Sequence, residues 1–389
     1  MLTYIRNLRR MLPSVGVAVE VVTHPAGGRV VSSRMASLCR NYISRVPLEV
    51  VRAGQVAEIV SSVDAYDLVH THDPFMSQVF RNRFPNAKIV QTVHGTNYEH
   101  VREHMCSAPL GRRIAREFTL YNPILRHAVW KHENAGMSAA DHLLAVDSNQ
   151  ARLACSRIKD PGRVSVIYNA VDVAKLLEQA RQEPRNASHG AYFLMARRLS
   201  PKNGAVFAVE GFLDWVGERN VQLLIAGEGS QRVTIERVLS RSAVGDKVTL
   251  LGNVLPSRIP SLMRDAIATV VPSVPVGGVI EATSLAALES LALGTPVIAS
   301  DIGGLSEIDS GSNIIDLVPP GDSHAIANAF DRSFRKASGT ASNEQGERMR
   351  RIKSVEARFG IEVWVKTIKS VYEKTISDQS RCLTPSVAS

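Results

Sequence analysis

The chain has 389 residues, of which 44% are apolar and 21% charged, enough for two domains of about 150–200 residues with a core each. Its 46 basic and 37 acidic side chains leave a net charge of +9, and the excess is uneven: residues 1–190 carry 24 basic and 16 acidic groups, residues 191–389 carry 22 and 21. No RNP-like, finger or helix-turn-helix pattern accompanies that charge, which argues against nucleic acid, and four scattered cysteines (Cys39, Cys106, Cys155, Cys382) argue against a disulfide framework or a zinc site. A reducing, cytoplasmic setting fits, and neither a signal peptide nor a run of eighteen apolar residues is visible.

Taken in chain order, residues 3–12 (TYIRNLRRML) read as an amphipathic helix with Tyr4, Ile5, Leu8, Met11 and Leu12 on its apolar side. Short β-branched runs then predict strands at 17–24, 67–72, 88–95, 142–147, 164–169, 191–196, 221–227, 247–253, 268–273, 296–301 and 313–318. They are continuously apolar rather than alternating, as parallel strands covered on both faces must be. Helical periods separate the later ones, at 205–220, 231–244, 284–294 and 323–337, and a helix over 357–376 places Phe359, Val363, Ile368 and Tyr372 among its apolar positions. Alternating strand and helix predicts α/β architecture with doubly wound sheets. The alternation pauses at the polar stretch 181–190, which contains Pro184 and Gly190 and sets the expected boundaries: a first domain over 1–185, a second over 190–355, the helix 357–376, and a flexible tail over 377–389. The strand and glycine-rich turn that normally open a nucleotide-binding α/β domain have no counterpart ahead of the first helix, so a missing first strand is expected.

The most informative stretch is 270–308, VVPSVPVGGVIEATSLAALESLALGTPVIASDIGGLSEI. A strand leads into a loop bearing Glu281, a helix follows from Thr283 or Ser284, and Glu289 lies within it, about 7.5 Å along the axis from Ser284 at 1.5 Å per residue. A helix N-terminus capped by Thr or Ser is a ready-made anion site. A diphosphate is its natural ligand, with Glu289 able to accept hydrogen bonds from a ribose. A second cationic element is LMARRLSPKNGAVF (194–207), where Arg198 and Lys202 leave a strand end and can stabilise a departing diphosphate.

These segments resemble glycosyltransferase family 4. The Glu281 to Glu289 spacing is similar to the family's Glu-x7-Glu signature, GTPVIASDIGGLSEI to its G-T/K-P-V-I-A-S-x-x-G-G-x-x-E, and the 198–204 loop to its R-L-x-P-x-K-G. Family Gly, three residues after the first Glu, is replaced by Ser284, and on Arg198 the family Lys position falls on Asn203, one residue after Lys202. In the first half, DLVHTHDP (67–74) resembles the family's D-V-V-H-x-H, TVHG (92–95) the strand with a His near the reacting sugar, and VIYNAVD (166–172) its I-x-N-G-V-D. The resemblance implies a GT-B fold, two Rossmann-like domains facing across a cleft with the C-terminal helix packing back on the first. It implies a retaining glycosyltransferase that moves a sugar from a nucleotide-sugar donor, UDP-linked by prior expectation, to a hydroxyl acceptor in polysaccharide, glycolipid or glycoconjugate synthesis. Glu281 and His94 become the residues facing the donor sugar, Arg198, Lys202, Thr283 and Ser284 the diphosphate site, and Glu289 the ribose ligand. His70 and His72 stay open between a site role and satisfied strand-end histidines, while Asn169 and Asp172 read as turn and cap residues. No Asp-x-Asp follows a strand, so neither a metal nor another cofactor is expected. Sugar-nucleotide epimerisation and a catalytically silent nucleotide-sugar-binding protein are the alternatives. The basic segment 111–133 fits either an acidic membrane or glycan surface or a solvated face.

Overall fold

A computed structural model describes residues 2–21, 66–95, 123–183, 190–339 and 344–378. The chain divides into two units: residues Met1–Ile167 with Trp364–Ser389, and Tyr168–Val363. In the first, helix α1 (Leu2–Met11) precedes β1 (Val69–Thr71), α2 (Pro74–Arg83), β2 (Ile89–Val93), α3 (Pro123–Ala139), β3 (His142–Ala145), α4 (Ser148–Arg157) and β4 (Val164–Val166). The four strands pair in parallel in the order β1-β2-β3-β4. Every residue of β2 and β3 is buried, which is why their sequences are apolar or uncharged throughout. Helix starts are written locally: Asp73 accepts the Phe75 amide at 2.7 Å with Pro74 in the first turn, and Asp147 accepts that of Gln150 at 2.6 Å.

The second unit runs through α5 (Val173–Gln182), β5 (Tyr192–Ala196), α6 (Ala205–Val216), β6 (Gln222–Ala226), α7 (Arg232–Leu239), β7 (Val248–Gly252), α8 (Ile259–Asp265), β8 (Thr269–Val271), α9 (Leu285–Ala292), β9 (Val297–Ser300), α10 (Gly304–Asp309), β10 (Ile315–Val318), α11 (Ser323–Ser338) and α12 (Glu344–Phe359). Its six parallel strands are ordered β10-β9-β8-β5-β6-β7, the order reversing beside β5 as in a doubly wound sheet. On one face, α6 and α11 bury a cluster of Phe193, Phe212, Trp215 and Phe330, with ring centroids 4.6–6.5 Å apart. Truncating Phe330 to alanine there costs about 3–5 kcal/mol.

Four sequence expectations change. Residues 17–21 form no strand, and 22–24 lie outside the described residues. The division falls at Ile167 and Tyr168 rather than at 181–190, because Val173 joins the buried cluster of α9 and α12 and Ala180 joins that of α8. The helix expected over 357–376 is two, α12 and α13 (Ile361–Ser377), broken at Gly360. There Val171 inserts its backbone, accepting from Ile361 at 3.0 Å and donating to Phe359 at 2.9 Å, while a Cβ on Gly360 would lie 2.3 Å from the Glu356 carbonyl. After that break Val363 is exposed, whereas Phe359, Ile368 and Tyr372 are buried. The last part of the chain joins the first unit, as expected: Trp364 meets Tyr4 edge-on at 4.8 Å, and Lys369 donates to the Val15 carbonyl at 2.8 Å. The tail lies from residue 379 onward outside the described residues, as do 111–122 of the basic segment. Among the described residues no helix is long and apolar enough to cross a membrane.

Candidate active site

Strand β8 ends at Val271, and the chain runs on through Pro272 and Ser273 and loops to Ser284, the residue at the N-cap position of α9. Strand β5 delivers Arg197 beside that loop. Its guanidinium donates from Nη1 to Ser273 Oγ at 2.5 Å and from Nη2 to Glu281 Oε1 at 2.6 Å, with both ion-pair side chains 10% exposed. The Glu281 carbonyl accepts the Gly304 amide at 3.0 Å. A side chain at Gly304 would place Cβ 2.5 Å from Ala282 C and Thr283 N, so the glycine permits α10 to brace the loop. Thr283 is fixed from another side, its carbonyl accepting from Asn169 Nδ2 at 3.0 Å. Asn169, a turn residue by sequence, thus supports the site.

The cationic loop lies against the same strand end. Val274 donates to the Lys202 carbonyl at 2.8 Å, and Gly204 has φ +66° with a hypothetical Cβ only 1.7 Å from the Pro272 carbonyl, a close approach only glycine allows. Arg198 is exposed, and among the described residues its side chain has no hydrogen bond or ion pair. Arg197 was missed by sequence reasoning, although a signal existed: the Arg and Lys of the family's R-L-x-P-x-K-G loop are five residues apart, as are Arg197 and Lys202. Ser284 Oγ is buried with no hydrogen-bond partner among the described residues and does not cap its own helix. Ser200 Oγ and Asn203 Oδ1 are likewise buried and unpaired. Such groups are costly unless something else satisfies them.

Glu289 sits in the second turn of α9, half-buried, its side chain with no hydrogen bond or ion pair among the described residues. Burial alone pushes its carboxyl up to about 7. The two carboxylates therefore differ in kind: Glu281 is pinned by a guanidinium, while Glu289 is desolvated and uncommitted.

In the first unit His94 follows β2 and His72 follows β1, at the carboxyl ends of parallel strands where α/β ligand sites form. His72 Nδ1 and His94 Nε2 face each other at 3.1 Å, the rings inclined by 25°. His70 stacks on His72 at 4.6 Å and is spent on structure, its Nδ1 on Tyr372 Oη at 2.5 Å and its Nε2 on Thr92 Oγ1 at 2.7 Å. Tyr4 of α1 lies edge-on to all three imidazoles. Burial lowers the His72 imidazole to about 4 and holds that of His70 well below the usual range. Among the described residues no group of three His, Cys, Asp or Glu side chains could hold a metal ion.

Two parallel-sheet α/β units, with a carboxylate pair around a helix N-terminus beside a cationic strand-end loop, define the GT-B class of glycosyltransferases. Comparison with known proteins agrees. Sucrose-phosphate synthase of Thermosynechococcus elongatus superposes with a TM-score of 0.67 at 22% identity over 96% of this chain and 92% of that one. Anabaena HepE in complex with UDP-glucose superposes with a TM-score of 0.60 at 16% identity over 82% and 81%. Residues 1–175 match Glycosyltransferase Family 4, and residues 190–335 match Glycosyl transferases group 1. The chain belongs to the family 4 glycosyltransferases and is a glycosyltransferase. A D-inositol 3-phosphate glycosyltransferase of Catenulispora acidiphila is 26% identical over 96% of this chain and 90% of its own length. An uncharacterized glycosyltransferase of Methanocaldococcus jannaschii is 27% identical over 64% of this chain, a match that takes in 61% of that protein.

Proposed function

We propose that the enzyme is retaining, uses a UDP-sugar, and glycosylates a hydroxyl of a small phosphorylated polyol without a divalent metal. The observation that carries this reading is the contrast between Glu281, clamped by Arg197 in the loop before α9, and Glu289, uncommitted in the second turn of that helix. Glu281 is suited to orient a donor sugar and oppose the positive charge that develops at its reacting carbon; Glu289 offers its oxygens to ribose hydroxyls. The bond from that carbon to the diphosphate breaks as the acceptor oxygen bonds to the same face. The acceptor proton passes to the leaving diphosphate. Arg197, Lys202, the amides at the α9 start and the hydroxyls of Thr283 and Ser284 stabilise the charge left there, with the exposed Arg198 as a further cation, while His94 hydrogen-bonds a sugar hydroxyl.

The UDP assignment is supported by the UDP-glucose complex of HepE and the acceptor by the D-inositol 3-phosphate relative. The basic excess of residues 1–190 suits an anionic acceptor. A membrane glycolipid acceptor at the cytoplasmic face is the second reading, favoured by exposed Arg6, Arg9 and Arg10 on α1 and exposed Trp130 and Lys131 on α3.

The test is UDP release from a panel of UDP-hexoses and UDP-N-acetylhexosamines with inositol phosphates or acceptor-loaded anionic vesicles, all in EDTA, with the product anomer read by proton NMR. An α-linked product from an α-donor is expected. A β-linked product or a strict metal requirement overturns the mechanism, and conversion of UDP-GlcNAc alone to its epimer replaces it with epimerisation.

A further inference from the structure

We propose that a cavity in the second unit, at the opposite end of its sheet from Glu281, binds a small phosphorylated sugar or polyol. The cavity measures about 520 Å³, within the range of small-molecule sites. Ile267, Pro296 and Ile314 bring it to the amino ends of β8, β9 and β10, whereas Ser273 and Ser284 lie beyond the carboxyl end of β8. Helix α9 links the two places: Ser284 precedes its first turn and Gly294, just past its end, lines the cavity, the eight residues between rising about 12 Å. The outer wall is made by α11 and α12. Glu344, Glu347, Arg348 and Arg351 of α12 all line it, the spacing of a single helix face.

Five cationic and three carboxylate side chains line the cavity, a net charge of +2, which a phosphate monoester of about −2 balances near neutral pH. Arg264 is held by Asp265 and Arg332 by Asp316, each at 2.7 Å. Lys336 on α11 is exposed, with no hydrogen bond or ion pair among the described residues. Arg351 is only 4% exposed. It donates from Nε to the Gly294 carbonyl and from Nη2 to Glu344, both at 2.8 Å, and its Nη1 has no hydrogen bond among the described residues. Glu344 is 48% exposed and shares its charge with water, so the buried guanidinium is poorly compensated, a costly state that a bound anion relieves. The remaining walls define what the phosphate is attached to. No aromatic side chain lines the cavity, so nothing there stacks on a nucleotide base, while Asn313, Ser333 and Glu347 offer polar groups to hydroxyls.

The test is calorimetric titration of the full chain with glucose 6-phosphate, inorganic phosphate and glucose, at saturating UDP so that the diphosphate site is filled. Amide hydrogen exchange of the same mixtures locates the ligand. Glucose 6-phosphate is expected to bind in the millimolar range or tighter, inorganic phosphate more weakly and glucose not measurably, with new protection in α11 and in the first two turns of α12. Lys336→Glu, which reverses an exposed charge, should weaken glucose 6-phosphate roughly tenfold and leave UDP affinity unchanged. Arg351→Lys keeps the charge but loses the planar fork and should weaken it similarly; should that buried variant not fold, Lys336→Glu decides. Equal affinity for glucose, unchanged affinity in Lys336→Glu, or no binding at millimolar ligand overturns the proposal. Protection confined to the first unit, the outcome for a phosphorylated ligand held only as an acceptor, overturns it too.

Discussion

Arg197 and Glu281 are separated by 84 positions in sequence and by 2.6 Å in space, and Ser273 holds the other end of the guanidinium. An ion pair with both side chains only 10% exposed exchanges hydration for geometry: removing one partner leaves the other charge poorly solvated, a loss on the order of 3 kcal/mol. In Arg197→Ala, Glu281 should lose its orientation and kcat should fall by roughly a hundredfold, the scale of one preorganised electrostatic group. Arg198→Ala, which removes an exposed side chain, should change kcat by no more than a few-fold. Steady-state kinetics of both variants are the measurement, and the reverse ranking would return the leading cationic role to Arg198.

Glu289 makes nucleotide binding pH-dependent. As an acceptor for ribose hydroxyls it must be ionised, and with its carboxyl at about 7 affinity should rise by about tenfold from pH 6 to pH 8 and then level off. UDP-glucose is the suitable probe, because its diphosphate is esterified at both ends and does not titrate in that range. Folding carries the opposite sign. The folded value lies above the unfolded one near 4.5, so the stability associated with this group is fully present below pH 4.5 and is lost as pH rises through 7. Glu289→Gln should abolish both slopes, and a flat wild-type calorimetric affinity between pH 6 and 8 would refute the ribose role.

Gly304→Ala tests whether α10 positions the loop of Glu281. The added methyl would lie 2.5 Å from backbone atoms of Ala282 and Thr283, and backbone cannot move aside as a flexible side chain can. Overpacking of this kind costs about 1–3 kcal/mol, and the displaced loop should reduce kcat/KM more than tenfold while far-UV circular dichroism stays unchanged. Wild-type kcat/KM would show that the loop is placed without this contact.

Strand positions were legible in the sequence because a parallel strand buried on both faces must be apolar at consecutive positions, and β5, β6 and β9 are written that way. The Glu281 and Glu289 pair was legible because a helix N-terminus joins them locally. Arg197 was harder to read: its five-residue spacing to Lys202 is the local signal, but two adjacent arginines at a strand end point to opposite sides, and β8, distant in sequence, shows which side is the site. The break at Gly360 escaped for the same reason, since what interrupts the helical period is the backbone of Val171. His72 and His94 each end a recognisable strand, yet their contact depends on register between strands, which no local pattern specifies.

The first unit should be the acid-labile one. Burial lowers His72 and His142 to about 4 and His70 well below its usual range, with His142 Nε2 2.9 Å from Ser165 Oγ and Lys374 and Arg163 adding to its depression. These rings are neutral in the folded chain and take up protons near pH 6.5 when unfolded. Their contribution is therefore intact above pH 6.5 and is lost as pH falls toward the folded values near 4. Glu289 in the second unit acts with the opposite sign over much of this range. Amide hydrogen exchange, corrected for intrinsic rates, should show protection of β2 and β3 falling between pH 6.5 and 4.5 while that of β5 and β6 holds or rises. His72→Phe should lessen the fall, since Phe keeps the ring but has no proton to gain. Equal loss of protection in the two sheets would count against these histidines as the cause.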